Sequence, residues 1–204
     1  GILSDYDPRF SFQPVEAYRK LTFAQLRTAI SDRLTKGAME LALVGDFDEE
    51  AAVAMVARSL GALPAREAEF RPYIDQRQRP FAADRSRRVV RHEGPADQAL
   101  LRLTWPTRDD SDLREVLVLE LLQRVTQISL SDTLREKLGQ AYSPGASSAP
   151  SAIWRGYGTF GVAASINVAD VDRTRAAIAG VITDLRSNPP PADLLSRARQ
   201  PMLE

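Results

Sequence analysis

The sequence predicts an α+β fold, a two-layer sandwich in which helices cover one face of a mostly antiparallel or mixed sheet. Three observations predict it. Residues 111–137 are rich in Leu, Val, Glu and Arg, with apolar positions at helical spacing. Residues 157–168 alternate apolar with small or polar side chains at the period of a strand. Helix-like and strand-like stretches then interchange along the chain, as a layered domain requires.

Residues 1–20 carry Pro, Phe and Tyr without a clean period and read as an extended connector; residues 21–204 read as one α+β domain, truncated at its C-terminal end. Helix follows from about Thr22, with Leu26, Ile30 and Leu34 at four-residue spacing and Lys36-Gly37 closing it. Leu41–Val44 is a short apolar strand that turns at Gly45-Asp46. Asp48 then caps a helix whose Ala52, Val53, Val56 and Leu60 form an inner stripe. Gly61 stops that helix. Residues 64–84, with Pro64, Pro72 and Pro80 among many charges, form a long connection.

Val89–Arg91 and Leu100–Trp105 read as two strands joined by a loose loop through Gly94-Pro95. Ser111 is placed to cap the long helix, with Leu113, Val116, Leu117, Leu121 and Val125 on its buried face. Gly139 stands where a left-handed cap would end it. The Ser-, Ala- and Pro-rich stretch from Tyr142 to Arg155 reads as an irregular loop. The clearest strand follows, with Phe160, Val162, Ala164, Ile166 and Val168 on one side. Asp170 caps a further helix with Ile178, Val181, Ile182 and Leu185 inward, Asn188 to Pro191 ends it, and a closing helix starts near Pro191. The resulting order suits a ferredoxin-like arrangement.

Composition narrows the function classes. Of 204 residues, 44% are hydrophobic and 26% charged, enough apolar content for a real core. Twenty-seven basic residues balance 27 acidic ones, so no net field recruits nucleic acid or an anionic membrane. The run Arg85, Arg87, Arg88 and Arg91 is interrupted by Val89 and Val90 at strand spacing and reads as a solvated strand edge. There is no cysteine and one histidine, His92, so the chain lacks the imidazoles and thiolates of three-ligand catalytic zinc sites. No stretch approaches eighteen consecutive apolar residues. The missing initiator Met and a last helix that reads as unfinished suggest an excised fragment.

Gly156-Tyr157-Gly158-Thr159-Phe160-Gly161 matches a dinucleotide-binding glycine pattern, but its glycines lead into a strand instead of opening a helix. Asp109, Asp110 and Asp112 cluster before a helix, where carboxylates favour the dipole more simply than they bind a hard cation. The chemically informative stretch is Leu134-Arg135-Glu136-Lys137-Leu138-Gly139-Gln140-Ala141-Tyr142-Ser143. It sets a guanidinium and a phenol seven residues apart across a helix end, a pair suited to gripping a carbonyl or carboxylate.

That run after a long amphipathic helix resembles the C-terminal-domain signature of the pitrilysin/insulinase family of zinc metallopeptidases. Leu41-Ala42-Leu43-Val44-Gly45-Asp46-Phe47-Asp48 with Leu60–Arg66, and Asp193–Arg199, resemble the family's opening and closing elements. The resemblance spans roughly the whole chain and implies a metallopeptidase-like α+β fold. It makes Arg135 and Tyr142 substrate-binding residues, with no catalytic and no metal-binding residue in this chain. The family's zinc motif, an inverted His-x-x-Glu-His, is absent here, so zinc is expected in a catalytic half of the parent protein, in cis or as a separate subunit. The implied function is a non-catalytic domain that holds peptide in a closed chamber during hydrolysis elsewhere. The alternative is an assembly module of the same fold without a proteolytic role. A likeness to bacterial two-half peptidases points to the periplasm for the parent.

Overall fold

The computed structural model describes residues 1–138 and 144–203; side chains are described for all of these except 136–138. The helices are α1 (Val15–Arg19), α2 (Phe23–Lys36), α3 (Glu49–Arg58), α4 (Leu113–Leu138), α5 (Val171–Ser187) and α6 (Ala192–Arg199). The strands are β1 (Gln98–Thr107), β2 (Gly145–Pro150) and β3 (Gly158–Asn167). The fold is α+β, and no helix among the described residues is long and apolar enough to cross a membrane. The chain divides into two compact units, one spanning Asp7–Gln76 with Gly1, the other Arg77–Glu204 with Ile2–Tyr6.

The larger unit holds the sheet. Its order is β1-β3-β2, with both pairings antiparallel. The period-two pattern sets one face: Trp105 pairs with Phe160, Leu103 with Val162 and Leu101 with Ala164. Against that face pack Leu130 from α4 and Ile178 and Val181 from α5, with Ile182 and Leu185 at the margin. Burying each such aliphatic side chain contributes roughly 1.5–3 kcal/mol relative to exposure. Trp105 and Phe160 meet tilted, with centroids 6.3 Å apart, and Phe81 stacks on Tyr157 at 4.3 Å.

The smaller unit is held mainly by polar contacts. Thr22 makes a full capping box with Gln25, and the Asp48 carboxylate caps α3 by accepting from the Ala51 N–H at 2.8 Å. The C-terminus of α2 is closed by one side chain. The Arg66 guanidinium donates to the carbonyls of Gly37 (2.7 Å), Leu34 (2.8 Å), Arg33 (3.1 Å) and Thr35 (3.3 Å) at the helix end, where the Arg33 carbonyl also accepts from the Gly37 N–H. Arg71 bridges Glu67 and Asp32, holding both carboxyls below their usual range through its hydrogen bonds.

Several expectations are corrected. Leu41–Val44 forms no strand, because a strand needs a neighbour's ladder and no strand exists among residues 7–76. The apolar stripe of α3 is not buried: Val53 is exposed, and the helix ends at Arg58, so Leu60 falls in the 3-10 turn that follows and is exposed too. Val89–Arg91 is unpaired, with Val89 and Val90 exposed at 72% and 73%. The turn before β1 closes instead through the Gln98 N–H donating to the Pro95 carbonyl. Asp112 caps α4 in place of Ser111, accepting from the N–H groups of Arg114 and Glu115; the Ser111 hydroxyl is committed to Asp109. Leu113 and Leu117 are exposed, and the buried face of α4 runs through Val125, Leu130 and Leu134. Asp170 stands at the N-cap of α5 but makes no side-chain cap bond, and Val168 leaves β3 for a short 3-10 turn and is exposed. The stretch expected as an irregular loop contains β2, whose small residues fit beside β3.

Candidate functional site

Arg135 lies in the last turn of α4. The preceding Leu134 and Leu130 are both fully buried, so they fix the helix rotation and leave Arg135 exposed. Tyr142, the second expected substrate-binding residue, lies outside the described residues, as does the Gly139 cap.

Two glutamines missed in the sequence connect α4 to β2. The Gln127 amide donates to the Pro144 carbonyl at 2.7 Å, and its oxygen accepts from the Ala146 N–H at 2.8 Å. One turn earlier, the Gln123 oxygen accepts from the Ser148 N–H at 3.0 Å. Their i,i+4 spacing, which sets two amides on one face of the helix, was the available signal.

The other candidates have structural roles. Asp109 ties the β1–α4 connection to the turn before β3. Its carboxylate accepts from the Ser111 hydroxyl at 2.6 Å and from the Gly156 N–H at 2.6 Å. Those hydrogen bonds, the serine's first, hold its carboxyl below the usual range. Gly156 adopts φ +65°, and a Cβ on Gly158 would stand 2.0 Å from the Arg108 carbonyl oxygen, so this glycine pattern serves a turn and a close strand approach.

His92 uses both ring nitrogens. Nδ1 accepts from the Gly94 N–H at 2.9 Å, so Nε2 carries the proton toward the Gln98 carbonyl oxygen at 3.3 Å. The described residues contain no cluster of His, Cys, Asp or Glu that could hold a metal ion. Trp154, near Tyr142 in sequence, is half-buried, with its backbone N–H donating to the Ser151 hydroxyl at 2.8 Å.

Comparison with known families matches residues 20–202 to the description "Peptidase M16 inactive domain". The chain belongs to this family. No curated protein matches it. The inactive domain is thus a non-catalytic, peptidase-related unit, which implies a catalytic partner domain. This agrees with the resemblance carried by the Arg135–Ser143 run.

Proposed function

We propose that this inactive domain binds substrate for a zinc-dependent peptidase, with Arg135 and Tyr142 holding the peptide backbone in a closed chamber. The observation that carries this reading is the exposed Arg135 on the final turn of a helix whose neighbouring leucines are locked in the core. A guanidinium fork donates two parallel hydrogen bonds to a carbonyl or carboxylate, and a phenol adds a third. The domain's own residues supply position only. Zinc, held by the catalytic half in cis or as a separate subunit, would activate the attacking water.

The contribution is therefore orientation: a peptide held in a near-attack pose needs less ordering at the barrier. The test is peptidase activity and zinc content of the full-length parent or reconstituted pair, carrying Arg135→Ala or Tyr142→Phe. Turnover is expected to fall tenfold or more, about 1.4 kcal/mol of transition-state stabilisation, with zinc retained. Normal cleavage by both variants would make the pair structural. A wild-type parent that never cleaves would favour an assembly module of the same fold.

A further inference from the structure

The two edges of the sheet differ in their free backbone donors. The Ser151 N–H donates to the Tyr157 carbonyl at 3.0 Å, and these positions continue the pairing of Pro150 with Gly158. Hydrogen-bonded pairs alternate along an antiparallel ladder, so Gly145, Ser147 and Ala149 face β3. The backbones of Ala146, Ser148 and Pro150 face outward. Each outward position is closed: Ala146 N–H by Gln127, Ser148 N–H by Gln123, and Pro150 because it has no N–H. Gln127 also donates to Pro144, so its amide bonds on either side of Gly145, as the N–H and C=O of one residue in a parallel neighbour would.

On β1 the same alternation, set by the Val168 N–H donating to the Asp97 carbonyl at 2.8 Å, turns Leu100, Arg102 and Thr104 outward. No α4 side chain covers them in this way among the described residues.

We propose that Gln123 and Gln127 seal β2 against strand addition, and that Gln127 is a positioning residue fixing the chain where it enters β2 relative to the turn that carries Arg135. The seal stands on the hydrogen bonds alone; the positioning role rests on the substrate-binding reading above. Along β2 an extended peptide finds no free N–H donors, so contacts there fall to side chains, whose placement depends on how firmly Pro144 and Ala146 are tied to α4. Gln127 spans the two segments with one rigid amide plane.

The test begins with amide exchange by NMR on the full chain. Gln127→Leu should speed exchange at Ala146 at least tenfold, and Gln123→Leu should do so at Ser148, while Ser147, bonded to β3, keeps its rate. Gln127→Glu retains the acceptor and should keep Ala146 protected at neutral pH, which guards against a leucine variant that fails to fold. Unchanged exchange in both leucine variants overturns the seal. With the catalytic half and a quenched-fluorescence peptide, Gln127→Leu should lower kcat threefold or more, in the same direction as Arg135→Ala but smaller, with zinc retained, and Gln127→Glu should recover part of the loss. Freed amides with an unaltered kcat overturn the positioning role. The substrate-binding reading fails separately, through an Arg135→Ala variant that cleaves normally.

Discussion

The two units of this chain are built on different physics. Residues 77–203 surround an apolar cluster of Leu130, Phe160, Val162, Ile178 and Val181, drawn from one strand and two helices. Residues 7–76 form three helices in which no side chain is buried, held by a capping box, an aspartate cap and the guanidinium of Arg66. Apolar burial is non-directional and sums over many contacts. Caps and ion pairs are directional, individually worth about 1 kcal/mol, and weaker still where water reaches them. The difference teaches that a chain of even composition can concentrate its stability in one half.

The sharpest way to break that contrast is to truncate equivalent apolar residues in each half. Leu130→Ala should cost about 2–5 kcal/mol in urea unfolding, because the site is fully buried among packed neighbours. Ile30→Ala on α2, exposed at 42%, should cost under about 1 kcal/mol in the same measurement. Equal costs would mean that α2 is as deeply packed as α4.

Arg66→Ala should destabilise the smaller unit by about 1–3 kcal/mol, since several end carbonyls lose their donor at once. Hydrogen exchange should show that loss at the end of α2, with the amides of β3 unaffected. Thr22→Ala, which removes the capping box, should cost about 1 kcal/mol and fray the other end of the same helix.

Acid tests the polar tie in the larger unit. The folded-state pKa of Asp109 is depressed, so its contribution to stability is present above the unfolded carboxylate pKa and is lost as pH falls through the folded value. The melting temperatures of wild type and Asp109→Asn should therefore differ at neutral pH and converge in acid. A gap that persists below the carboxylate range would show that packing, and not the ionised hydrogen bonds to Ser111 and Gly156, sets the effect. The smallest change is expected for Val90→Thr, within about 0.5 kcal/mol, because that side chain meets mostly water.

Legibility in the sequence followed the size of each signal. The ten residues of β3 alternate over their whole length, and α5 repeats its inward face through Ile178, Val181, Ile182 and Leu185; both were readable because burial imposes a period. Short runs misled. Leu41–Val44 and Val89–Arg91 have strand composition, but pairing is a property of two segments, and neither has a laddered partner. β2 was hidden for the opposite reason: Gly, Ala, Ser and Pro look like loop until β3 and two glutamines supply their hydrogen bonds. Arg135 was visible as chemistry in its motif, whereas Gln123 and Gln127 carry no motif and become visible only beside the backbone they bond.

By itself, the sequence determined the α+β class, the positions of the long helices, the lack of cysteine and of a second histidine, and the family resemblance that the match over residues 20–202 bears out. These are local or compositional properties, written in periodicity and residue type. Only the tertiary structure decided which apolar runs become strands and which edge of the sheet is sealed. Those outcomes depend on donors and acceptors far apart in the chain, whose meeting no local pattern encodes.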